Sequence, residues 1–92
     1  MESRKEIMLA ALRKFGTKNQ ILKAAEEFNE LSVELLKHAQ GDVSEEAITD
    51  ELADAYIMLS QMMIVFKDYR VKNRVDFKLK RLKERVENGQ RV

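Results

Sequence analysis

Apolar residues recur along this chain three or four positions apart, in four separate runs. Ile7, Met8, Ala11, Leu12 and Phe15 form the first, and Ile21, Ala25, Phe28, Ser32 and Leu35 the second. Ile48, Leu52, Ala55, Leu59, Met62 and Phe66 form the third, and Val71, Val75, Leu79, Leu82 and Val86 the fourth. At ~100° per residue each run marks one face of an α-helix. Gly16, Gly41 and Gly89 follow the first, second and fourth runs, where a residue tolerant of the left-handed conformation closes a helix. Ser44 stands ahead of Glu45 and Glu46, an N-cap followed by acids that complement the helix dipole. The spacing predicts four helices, near residues 2–15, 18–39, 44–67 and 72–88, joined by short connections. That describes one all-α domain over residues 1–92.

The third helix departs from the amphipathic pattern. From Tyr56 to Phe66 only Ser60 and Gln61 are polar, so the helix is apolar almost all round. Such a helix is covered on more than one side. A chain of 92 residues has little material to surround one of its own helices. The simplest cover is a second subunit, packed through this helix in an interface that resembles a core cut in half. The alternative is a central helix in a compact monomer, with its methionines filling gaps.

Composition narrows the chemistry. The chain has no cysteine, which removes disulfides, thiolate metal sites and a Cys nucleophile, and its one histidine, His38, excludes a zinc site built on several imidazoles. The longest uncharged stretch, Ala55 to Phe66, is far short of the ~20 residues that span a bilayer. The first residues, MESRKEIML, lack the apolar core of a signal peptide. A cytoplasmic protein with no membrane partner is the expectation. The net charge of +1 conceals strong segregation: +3 over residues 1–19, −8 over 20–54, none over 55–66 and +6 over 67–92. An acidic middle between basic ends fits a site where anions and cations meet, and equally fits separate solvated faces.

Four acids stand out in the acidic block. Glu27 and Glu30 in EEFNEL, and Glu51 and Asp54 in ELAD, repeat one spacing, which sets two carboxylates on the same side of a helix one turn apart. Glu51 projects within the apolar arc of Ile48, Leu52, Ala55 and Leu59, with Asp54 at its edge. Glu27 borders Ala24 and Leu31, and Glu30 lies beyond it toward solvent. Carboxylates on the core side are costly unless a positive group meets them. If the second and third helices run antiparallel, the two pairs come face to face. Two carboxylates ~4 Å apart repel by about 4 kcal/mol at an effective dielectric of 20, so four together need compensation. A divalent cation supplies it, and oxygen-only ligation selects Mg²⁺, Mn²⁺ or Ca²⁺ over zinc. The plainer reading is a pair of solvated acidic faces, with Lys23 placed four residues before Glu27 for an ordinary ion pair.

EEFNEL followed by DELADAYIML resembles the paired signature of the MazG-like proteins, the all-α nucleoside triphosphate pyrophosphohydrolases. The family pattern is Glu-x-x-Glu, a variable spacer, then Glu-x-x-Asp; here the spacer runs from Leu31 to Asp50. KFGTKNQILKAAEEFNEL is similar to the family's lead-in, and KLKRLKERV to its basic last helix. The resemblance covers about residues 14–87 and fits the short single-domain bacterial and phage members. It implies a four-helix antiparallel bundle-like subunit that forms a homodimer or homotetramer. It further implies Mg²⁺-dependent hydrolysis of an NTP or dNTP between the α and β phosphates, giving a nucleoside monophosphate and pyrophosphate, with Mn²⁺ a possible substitute. Carried over by position, Glu27, Glu30, Glu51 and Asp54 are the expected metal ligands and catalytic acids, with Glu30 or Glu27 the proton acceptor. The departing pyrophosphate needs cations, for which Lys78 and Arg81, then Lys23 and Lys18, are the candidates. Gln20 is a candidate hydrogen-bonding partner for the nucleotide. His38, near the end of its helix, reads as a dipole partner rather than a ligand.

Two other classes compete. One is a non-catalytic helical bundle that binds a nucleotide or a protein. The other is nucleic-acid binding through the basic last helix. The acidic centre and near-neutral total argue against the latter, because affinity for a phosphate backbone needs a net positive face.

Overall fold

Each helix begins and ends where local chemistry allows. In the computed structural model, which describes residues 2–89, α1 (Arg4–Phe15) opens on Ser3, whose Oγ accepts the Glu6 N–H at 3.1 Å. A single residue, Gly16 at φ 90°, separates α1 from α2 (Thr17–Ala39). Its N–H closes α1 on Leu12 O at 3.0 Å while its carbonyl accepts from Gln20 at 3.0 Å, a hinge geometry that side-chain-bearing residues adopt only with strain. Ser44 caps α3 (Glu45–Val65), accepting the Ala47 N–H at 3.3 Å. α4 (Asp68–Glu87) starts about one turn earlier than its apolar register predicts, because Lys67 at φ 64° makes the break alone. Among the described residues there is no strand, and no helix is long and apolar enough to cross a membrane.

α2 and α3 form the most extensive helix contact, an antiparallel hairpin closed by residues 40–44. His38 fastens that loop by donating Nδ1–H to Val43 O at 2.7 Å; a carbonyl only accepts, so the proton sits on Nδ1. The histidine thus holds a loop. On α2 the inward seam runs through Gln20, Ala24 and Glu27, all buried, and continues through half-buried Leu31, Glu34 and His38. On α3 it runs through buried Ile48, Ala55, Met58 and Gln61, with Glu51 half-buried between them. Ala24 and Ala55, 2% and 6% exposed, let the two backbones approach closely.

This seam corrects the expected faces. The stripe Ile21, Ala25, Phe28, Ser32 and Leu35 was the predicted core side of α2, yet only Ile21 is partly covered and Phe28 and Leu35 stand exposed. Leu52, Leu59 and Phe66 of α3, and Phe15 of α1, are likewise exposed. Both hairpin helices carry apolar residues on two adjacent faces, and the small, acid-bearing one turns inward.

α4 does not complete a compact four-helix bundle. It approaches only α3 and buries no residue. The radius of gyration is 16.2 Å, against about 12 Å for a compact chain of this length.

Candidate metal centre

The hairpin register brings Glu27 of α2 opposite Glu51 and Asp54 of α3. One carboxylate oxygen from each lies within 4.8 Å of the other two. Glu27 is buried, Glu51 half-buried and Asp54 exposed, so the group opens from the seam to the surface. Glu51 Oε2 is sealed from solvent and has no hydrogen-bond partner among the described residues. Burial pushes the Glu51 carboxyl above its ordinary range, and the charges of Glu30, Asp54, Glu27 and Glu34 add to the rise.

Compensation within the chain is partial. Lys23 Nζ lies 3.1 Å from Glu27 Oε1, and this hydrogen bond and charge hold the lysine above its ordinary pKa. No Lys or Arg among the described residues makes an ion pair with Glu51 or Asp54. Among the described residues, three acids with one cation leave a site short of positive charge, and the sealed oxygen of Glu51 has no donor. A hard dication fits this all-oxygen donor set.

The fourth expected ligand stands apart. Glu30 is exposed and outside the three converging oxygens, although its charge is the largest electrostatic contribution raising Glu51. Glu34, one turn further on, faces Lys37 at 3.7 Å.

The expected phosphate-binding residues divide into two sets. Lys18 and Lys23 project from α2 on the acids' own helix, both exposed, and Gln20 is buried on the seam two turns before Glu27. Lys78 and Arg81 lie on one face of α4, which they share with Val75, Leu79, Leu82 and Arg85 and with no acidic residue. Since α4 does not approach α2, a single chain does not unite these cations with Glu27. The sequence shows that Lys78 and Arg81 share a face; only the fold shows that this face is remote from α2.

Gln61 was missed. It is 5% exposed, with Oε1 buried and unpartnered among the described residues. The available clue was spacing: Gln61 lies two turns beyond Asp54, as Gln20 lies two turns before Glu27, on helices that run in opposite directions.

Compared with protein-family models, with curated proteins and with solved structures, the chain finds no match.

Proposed function

We propose that this chain is a Mg²⁺-dependent nucleoside triphosphate pyrophosphohydrolase, active as a homodimer or homotetramer in the cytoplasm. The observation that carries the reading is the convergence of Glu27, Glu51 and Asp54, together with a buried Glu51 Oε2 that finds no hydrogen-bond partner among the described residues. These three carboxylates would hold the cation. When bound, Mg²⁺ supplies positive charge to phosphate oxygens and makes water a better nucleophile.

The remaining work falls to the chain's own side chains. Glu30, exposed beside the cluster but outside it, is free to accept a proton from the attacking water. The oxygen of that water adds to the α-phosphorus, the bond from the α-phosphorus to the bridging oxygen breaks, and pyrophosphate leaves. Lys23, paired with Glu27 at rest, is placed to meet phosphate oxygens, whereas Lys18, nine residues before Glu27, projects from the opposite side of α2.

Exposed Tyr56, Ile57 and Leu59 on α3 support self-association. With Ile7 and Met8 of α1, Tyr56 and Ile57 line an apolar trough of about 400 Å³. The same faces favour a second reading, a non-catalytic module that binds a protein partner.

Incubation with NTPs and dNTPs plus Mg²⁺, with products identified, tests the proposal. Nucleoside monophosphate and pyrophosphate are expected; orthophosphate as the first product would refute the site of cleavage. Thermal melting that is indifferent to Mg²⁺ would favour the binding module.

A further inference from the structure

We propose that the joint between α3 and α4 is a two-state hinge centred on Lys67. The bent form of the structure exchanges with a straight form, in which one helix runs unbroken from Glu45 to Glu87 and α4 leaves the hollow it now borders. The hinge needs nothing from the pyrophosphohydrolase reading.

This break lacks the residues that make the other breaks. Gly16 and Gly41 supply positive φ at the first two connections, and the Ser44 hydroxyl caps α3. The chain has no proline, and its three glycines all lie elsewhere. Lys67 takes φ 64° and ψ 97° on its own, the one non-glycine residue with positive φ among the described residues. Its Cβ disfavours that region by about tenfold in population. Lys67 is also the N-cap of α4, and its side chain makes no capping hydrogen bond. Serine, threonine, aspartate or asparagine would serve there. The local sequence thus works against the bend.

The helical phase runs straight through the break. At ~100° per residue on one continuous helix, Ile57 and Ile64 of α3 share an arc of about 80° with Val71, Val75, Leu79, Leu82 and Val86 of α4. The α4 stripe continues this face of α3 as if no joint lay between them. A bend places no such demand on phase; a single helix does.

Little in the packing offsets the cost of bending. α4 buries no residue and approaches only α3. In the bent form Lys5 and Met8 of α1, Met63 and Ile64 of α3, and Asp68 and Lys72 of α4 border a hollow of about 500 Å³. Lys67 joins them, so three lysines share this rim with one acid, Asp68, which already holds Lys72 at 3.3 Å. Like charges gathered in this way oppose closure. Straightening draws α4 away and uncovers Met63 and Ile64, both half-buried in the bent form.

Distances within one chain test the hinge. The chain has no cysteine, so Glu46→Cys and Lys83→Cys place one spin label on each helix. In the straight form their backbones stand about 56 Å apart, beyond the 47 Å longest extent of the structure. Pulsed electron paramagnetic resonance reads the separation, with labelled protein diluted into excess unlabelled protein so that only distances inside a chain count. Two separations are expected, one short and one near 56 Å. Lys67→Gly accepts the positive φ freely and weakens a continuous helix, so it should shift the ratio toward the bend by about 50-fold. Lys67→Ile, whose branched Cβ fits positive φ worst, should raise the long separation. Lys67 is exposed, so neither substitution disturbs packing. A long separation missing from both the labelled parent and Lys67→Ile would overturn the hinge, as would one that Lys67→Gly leaves undiminished.

Discussion

Ala24 is the most enclosed residue on the α2–α3 seam, 2% exposed and one turn before Glu27. Replacing it with leucine adds three carbons at this most enclosed position. Overpacking of this kind costs about 1–3 kcal/mol. At about 4–8 °C per kcal/mol for a domain of this size, a mid-range loss of about 2 kcal/mol lowers the Tm by about 8–16 °C. The functional consequence is separable from that loss. Pushing α2 from α3 moves Glu27 away from Glu51 and Asp54, whose oxygens now lie within 4.8 Å of one another. A dication at ten times its Kd adds about 1.4 kcal/mol to the native state, a gain of about 6–11 °C. Ala24→Leu is expected to lose most of that gain. Ala24→Gly is the control: it costs about 1 kcal/mol through helix propensity without splaying the helices, so the Mg²⁺ response survives. Thermal melting of both variants with and without Mg²⁺ makes the comparison. Equal Mg²⁺ responses in Ala24→Leu and the unaltered protein would refute the claim that helix spacing builds the site.

The other predictions concern single groups. Glu51→Gln removes a charge that burial and four neighbouring acids oppose, so the metal-free protein should melt at a higher temperature at neutral pH and lose its response to Mg²⁺. Its hydrolytic rate should fall by about 100-fold or more, the scale of losing one group that stabilises transition-state charge, measured by pyrophosphate release. Because folding raises the Glu51 pKa, the folded state holds its proton more tightly than the unfolded chain. The contribution of Glu51 is therefore fully present below the unfolded pKa and is lost as pH rises through the folded value. Comparison of metal-free melts across the acidic range should show a steeper loss of stability with rising pH for the unaltered protein than for Glu51→Gln. Ser44→Ala removes the cap of α3, which should cost about 1 kcal/mol of stability by denaturant titration and leave the Mg²⁺ response in place.

Much of the local structure was legible in the residues. Gly16 and Ser44 marked helix ends because their effects act within a few residues, through a positive φ at one and a hydroxyl accepting a backbone N–H at the other. The pairing of Glu27 with Glu51 and Asp54 was also readable, since helical spacing and a short connection constrain two antiparallel neighbours. The start of α4 was less so: Lys67 takes up a positive φ without any glycine to announce it.

What only the tertiary structure decided was which of two apolar faces turns inward. Periodicity assigns Phe28, Leu35 and Leu52 to a core as readily as Ala24, Ala55 and Met58, because it records direction around a helix axis and not distance to the next helix. Close approach favours small side chains, so the alanine-bearing faces met and the bulkier ones were left outside. That choice gathered three acids, left Glu30 at the rim and sealed Gln61 in the seam. It also left α4 against α3 alone, with Lys78 and Arg81 on a helix that never reaches α2. The sequence by itself determined four helices and, on two of them, pairs of carboxylates one turn apart, through interactions spanning a few residues. The packing decided which charges meet, because that depends on how near separate helices can come.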